Sequence, residues 1–223
     1  MKTDTQAQEI FDEYRTSLGD QVEIIFSKKL IQNKVKFDKL RSELNLKEKW
    51  EKCHPKSTPD HNNNSKDNKE TVQNSSDFEY PTNPDVLEAV LKIQPHVEEF
   101  LVDTRTLTTW LDLQKGKYES GNSFGSEVID QIASHVDTNR AGIGYGIYLE
   151  ERRKLICKLK KHPWSEDAEL LVQLHDYYYF WTLESSLISF ARSYALIYDI
   201  LKKNWDTIAS VGVAQDLQNL SMY

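Results

Sequence analysis

The sequence predicts an all-α protein, an elongated four-helix bundle, and three observations carry that prediction. Glycine and proline are sparse, 8 and 6 in 223 residues, which suits long uninterrupted helices better than a turn-rich β fold. Apolar residues recur at steps of three and four through several long segments. The final segment holds the clearest case: Phe180, Leu183, Leu187, Phe190, Tyr194, Ile197 and Leu201 alternate those steps as an a/d seam of about three heptads.

The first helix is expected over about 4–45, on the spacing of Ile10, Tyr14, Leu18, Val22, Ile25 and Leu30. Residues 51–82 are rich in Asn, Ser, Lys and Asp and read as a linker, because so few apolar side chains cannot offset the entropy of ordering the chain. Asn63 and Asn74 head glycosylation-type triplets there, which read as chance. A second helix is expected over 84–115, capped by Asn83 ahead of a first-turn Pro84, with Pro95 inside the pattern as a kink. A polar, glycine-containing turn follows at 116–125, then a third helix over 126–161 that stops before Pro163. Ser165, followed by Glu166 and Asp167, opens a fourth helix over 165–209, since a hydroxyl and early carboxylates suit the free N–H groups of a helix start. Beyond Trp205 the stretch "ASVGVAQ" is expected to fray into a tail, 210–223.

The fourth helix carries a second apolar stripe: Tyr177, Trp181, Ile188, Ala191, Ala195, Tyr198 and Trp205. An antiparallel bundle covers one stripe. A helix apolar around much of its circumference needs a further cover, either a thicker core or another subunit, and a chain with four helices favours the subunit. Helices of 35–45 residues would be roughly 50–65 Å long at about 1.5 Å per residue, so the subunit is expected to be a tall rod. Rods with apolar flanks associate side by side, and heterologous contacts of that kind close into rings.

Signs of chemistry are few. A formal charge of −7 and a pI near 5.4 argue against sequence-independent phosphate binding, so no nucleic-acid partner is expected. Cys53 and Cys157 make neither a disulfide framework nor a metal spacing, and point to a reducing compartment. The acidic N-terminus is not a signal peptide, and no apolar run approaches the roughly 20 residues of a membrane span, so a soluble intracellular protein without membrane association is expected. "GNSFGSE" lacks the Gly-Lys-Ser/Thr ending of a phosphate loop, and "GIGYGIY" has Ile147 where a dinucleotide fingerprint needs glycine. Gly142, Gly144 and Gly146 are odd within a helix and either permit close packing or line a cavity. The six histidines show no metal spacing; His175 with Asp176 reads as a solvated pair and Cys157 as core packing. The basic run "ERRKLICKLKK" complements the negative end of the third helix. No cofactor, metal or catalytic residue is expected.

Four segments, in order, resemble the 11S (REG) proteasome activators. "FSKKL" (26–30) is similar to that family's Phe-Pro-Lys-Lys-Leu, with serine for proline. "KIQPHVEEFLVDTRTLTTW" (92–110) resembles the kinked second helix, and "GNSFG" (121–125) the Gly-Asn-Asn-Phe-Gly of the activation loop. "HPWSED" through "SYALIYDILKKNW" (162–205) follows the last helix without gaps, and the chain ends in "SMY". Lys117 stands at the loop's usual arginine and Gly116 at a preceding proline.

The resemblance implies a heptameric ring around a central channel, in the cytoplasm and/or nucleus. Such a ring caps the α-subunit ring of the proteasome core particle without ATP, opens its gate and has no peptidase activity of its own. It assigns Lys117, Gly121, Asn122, Ser123, Phe124 and Gly125 to the activation loop, with Asn122 as the critical residue. Glycine allows the close approach such a loop needs, and asparagine tolerates left-handed geometry while hydrogen-bonding nearby backbone. Ser221, Met222 and Tyr223 are the implied docking end, whose carboxylate would pair with a partner lysine, seven tails together gaining by effective concentration. The reading that does not use the resemblance is a helical scaffold or adaptor whose second stripe binds partner helices.

Overall fold

The computed structural model describes residues 5–52, 81–114, 123–138 and 145–220, and among them there are seven α-helices, one π turn and no strand. The helices are α1 (Thr5–Ile24), α2 (Leu30–Leu44), α3 (Leu46–Lys52), α4 (Pro84–Gln114), α5 (Ser123–Thr138), α6 (Tyr145–Lys161) and α7 (Glu166–Leu220), with the π turn at Ile25–Lys29. Both expected caps are present. The Asn83 side chain accepts from the N–H groups of Asp85 (3.0 Å) and Val86 (3.3 Å), and the Ser165 hydroxyl accepts from Ala168 N–H (3.3 Å).

The expected first helix is interrupted twice, for separate reasons. Its buried positions run Leu18, Val22, Ile25, Leu30, Asn33, Phe37, Leu40 and Leu44, with one step of five, from Ile25 to Leu30. An α-helix cannot keep a step of five on one face. The π turn absorbs the extra residue, with Leu30 N–H reaching back five positions to Ile25 C=O, and the seam continues in register. The second interruption is Asn45, whose φ of 45° ends α2 in left-handed backbone that asparagine accepts more readily than most residues. Ile10 and Tyr14, two of the apolar positions whose spacing predicts the first helix, are 60% and 50% exposed. Helix α4 continues through Pro95, and the expected third helix is described as α5 and α6, with residues 139–144 outside the described residues. Helix α7 extends to Leu220 and not to 209.

Two compact units are distinguished. The first holds the chain up to Glu43, then Ile93–Gly142, then the chain from Ser186. Its core joins Phe37 of α2 and Phe100 of α4 to Phe190 and Tyr194 of α7, with Phe100 edge-on to both α7 rings at 4.9 and 5.0 Å. Beside these rings Asp103, 1% exposed, takes the Lys29 ammonium at 2.9 Å and the Asn33 amide at 3.2 Å, and Asn33 also donates to the Tyr194 hydroxyl at 3.2 Å. The second unit holds Leu44–Lys92 and Ile143–Ser185. There Trp50 stacks on Tyr177 at 5.1 Å and Tyr148 on Tyr179 at 4.2 Å, while Lys49 reaches Asp85 at 3.0 Å.

All seven seam residues of α7 are buried, each no more than 4% exposed. The second stripe divides. Tyr177, Tyr198 and Trp205 lie against aromatic rings of other helices and Ala191 is buried, whereas Trp181 and Ile188 are 54% and 44% exposed. Ile24, Ile31 and Val35 also face outward, Ile10 and Ile24 fourteen residues apart on α1, and Ile31 on the other flank of the buried row because the π turn lies between.

The Asp103 cluster gives a stability prediction. Asp103→Ala removes the acceptor of a buried amide and hydroxyl and should cost about 2–3 kcal/mol in urea unfolding near neutral pH. The hydrogen bond from Lys29 to Asp103 holds the lysine pKa above its ordinary 10.5. Its stabilisation is therefore complete below pH 10.5 and is lost as pH rises through the raised folded value. Tyr194, held protonated by burial and by the Asp103 charge, acts in the same direction. The stability gap between wild type and Asp103→Ala should narrow above about pH 10, and a gap that widens there would contradict this assignment.

Candidate functional site

The residues assigned by resemblance divide by position. Lys117, Gly121 and Asn122 lie outside the described residues, as do Ser221, Met222 and Tyr223. Ser123, Phe124 and Gly125, expected in the turn, belong to the first turn of α5, so the helix begins earlier than the expected 126. The end of α4 and the part of α7 around Trp205 are described with their side chains.

The last turns of α4 are anchored: Leu107 and Leu111 are fully buried, and Trp110 and Gln114 are 9% and 7% exposed. Across residues 115–122, α5 buries Ile129 and Ile132 on one face. On α7, the Trp205 indole is near-parallel to Phe26 at 4.6 Å and 8°, and to Trp110 at 5.6 Å and 16°. Phe26 also stacks on Tyr198 at 5.5 Å. Three elements, the π turn, α4 and α7, thus meet in one aromatic stack. The sequence displays these residues separately, Phe26 in "FSKKL", Trp110 at the end of the second helix and Trp205 in the second stripe. Their meeting depends on positions more than eighty residues apart, which periodicity along one helix cannot reveal.

Two readings of single residues need correction. Asp176 is not solvated: it is 8% exposed and accepts from the Tyr148 hydroxyl at 2.7 Å and from Arg152 Nε at 3.0 Å. His175 stacks on Tyr148 at 5.0 Å, with its Nε2 3.0 Å from the Tyr148 carbonyl. This is a pinned buried ion pair that ties α6 to α7, with both aspartate oxygens occupied. Cys157 is exposed, because α6 turns Tyr148, Arg152 and Leu159 inward and position 157 falls off that face. Gly146 lies in the first turn of α6, where an added Cβ would meet open space, so close packing does not account for it; Gly142 and Gly144 lie outside the described residues. Among the described residues no group of three or more His, Cys, Asp or Glu side chains could hold a metal ion, and no helix is long and apolar enough to cross a membrane.

An all-helical chain built on one long terminal helix with buried aromatic seams belongs to the class of helical-bundle subunits. The family model described as proteasome activator PA28, C-terminal, matches residues 79–211, which covers α4 through most of α7. The chain belongs to the PA28 proteasome activator family. It is 23% identical over 152 residues to proteasome activator complex subunit 3 of Gallus gallus, covering 64% of this chain and 60% of that protein. To the Homo sapiens protein of the same name it is 22% identical over 132 residues, covering 57% and 52%. The chain therefore spans 60% or less of the length of these curated relatives. The crystal structure of the 11S subunit of the Plasmodium falciparum proteasome, PA28, aligns with a TM-score of 0.71 at 16% identity, over 94% of this chain and 96% of that one. A chain of the archaebacterial 20S proteasome–PA26 complex aligns with a TM-score of 0.63 at 14% identity, over 92% and 93%. At such identities these likenesses speak for the fold.

Proposed function

We propose that this chain is the subunit of an ATP-independent activator of the proteasome core particle. It is a regulator of peptide hydrolysis and not itself a peptidase, working in the cytoplasm and/or nucleus. The observation that carries this reading is the family match over residues 79–211, which includes both the segment between α4 and α5 and most of α7. Seven copies form a ring, and the ring docks on the α-subunit ring of the core particle.

Two segments share the work. The tails ending in Ser221, Met222 and Tyr223 supply affinity: a terminal carboxylate pairs with a cationic side chain of the partner, and main-chain hydrogen bonds hold the tail extended. One tail binds weakly, and seven on one ring bind by effective concentration. The loop supplies activation, with Asn122 presented to the gate and Lys117, Gly121, Ser123, Phe124 and Gly125 as its frame. Buried residues on the flanking helices, Trp110 and Gln114 of α4 and Ile129 and Ile132 of α5, suit that role, because a loop that must hold another protein's residues in place needs fixed supports. The exposed apolar residues of α1, α2 and α7 suit burial against neighbouring copies.

The purified protein should accelerate hydrolysis of small fluorogenic peptides by core proteasomes without ATP; no stimulation at any concentration would contradict the reading. Asn122→Tyr should leave the half-maximal activator concentration unchanged and lower maximal stimulation by about tenfold or more, as expected for a contact made only in the open state. Loss of binding in that variant would make the loop an anchor. Deletion of Met222 and Tyr223 should abolish binding by surface plasmon resonance, and unchanged affinity would exclude tail docking.

A further inference from the structure

The stack around Trp205 has a consequence for how docking and activation are joined. Helix α7 leads to the terminal residues, and α4 leads into 115–122 four residues after Trp110. Trp205 of α7 lies near-parallel to Trp110 of α4 and to Phe26 of the π turn, at 5.6 and 4.6 Å. Trp110, Leu111 and Gln114 are buried, so the end of α4 has little freedom to move apart from what it packs against. Stacked aromatic rings resist tilting because near-parallel contact over a large area is lost when either ring rotates. A displacement of α7 near residue 205 therefore reaches the end of α4 through the contact of these two indoles.

We infer that Trp205 is a positioning residue for gate opening: it ties the tail-bearing helix to the loop-bearing helix, so that a docked tail fixes where the loop begins. Resting on the activator reading above, this inference adds a residue outside both the loop and the tail. Trp205 touches neither the gate nor the docking pocket; it acts through Trp110. Its work is registered in the maximal stimulation reached when every tail is engaged and not in how tightly the tails bind.

The test uses full-length Trp205→Leu, Trp205→Phe and Trp110→Leu rings, with native mass measured first. Stimulation of peptide hydrolysis is then titrated against core proteasomes. Trp205→Leu should keep the half-maximal concentration of wild type and lose about three- to tenfold in maximal stimulation, the range expected from removing aromatic stacking. Trp110→Leu should reproduce the loss from the other side of the contact, and Trp205→Phe should recover most of it. Wild-type stimulation by Trp205→Leu overturns the inference, as does a rise in half-maximal concentration with maximal stimulation unchanged. Failure of both leucine variants to assemble also overturns it, because the stack would then hold the bundle together without positioning the loop. Absence of stimulation by the wild-type ring would contradict the activator reading itself, and is read separately from the variants.

Discussion

The structure depends on one long apolar seam. Seven side chains of α7, from Phe180 to Leu201, are almost completely withdrawn from water, and every other helix with a buried face contributes to the same two cores. Each such side chain is worth about 1.5–3 kcal/mol when fully buried, so the seam outweighs any single polar contact in the molecule. The polar groups within reach of it are few and paired. Asp103 is held by Lys29 and Asn33, and Asp176 by Arg152 and Tyr148. Those pairs add less to the driving force than to register, since a shifted alignment of the helices would leave each buried carboxylate without its cation.

The same helices keep more apolar surface than one chain can cover. Trp181, Ile188 and Tyr178 on α7, and Ile10, Ile24, Ile31 and Val35 along α1 and α2, face outward from a chain with a net charge of −7. Outward apolar residues on α1 and α2 mark surface suited to a second partner, and the outward residues of α7 supply a different one. Unlike faces that meet copy to copy give heterologous contacts, which close when the rotation between subunits divides a circle.

Much of the fold could be read from single segments because its causes are local. The α7 seam, the caps at Asn83 and Ser165, and the turn-free runs between them follow from spacing and side-chain chemistry within a few residues. The π turn was visible only as an anomaly, the step of five from Ile25 to Leu30, whose meaning depends on the register of the buried row on both sides. What the sequence hid was contact across the chain. Asp176 read as solvated because its partners, Tyr148 and Arg152, come from the preceding helix. Trp110 and Trp205 gave no hint of each other. The candidate site was legible through resemblance more than through physics, since a short polar turn with two glycines has many possible uses.

The central claim is that these outward apolar rows are covered by copies of the same chain. Native mass spectrometry of the full-length protein tests it most directly. The account predicts a dominant species at seven times 26.0 kDa that persists at low concentration. A folded chain that stays at 26.0 kDa, with Trp181 quenched freely by a soluble quencher, would contradict it.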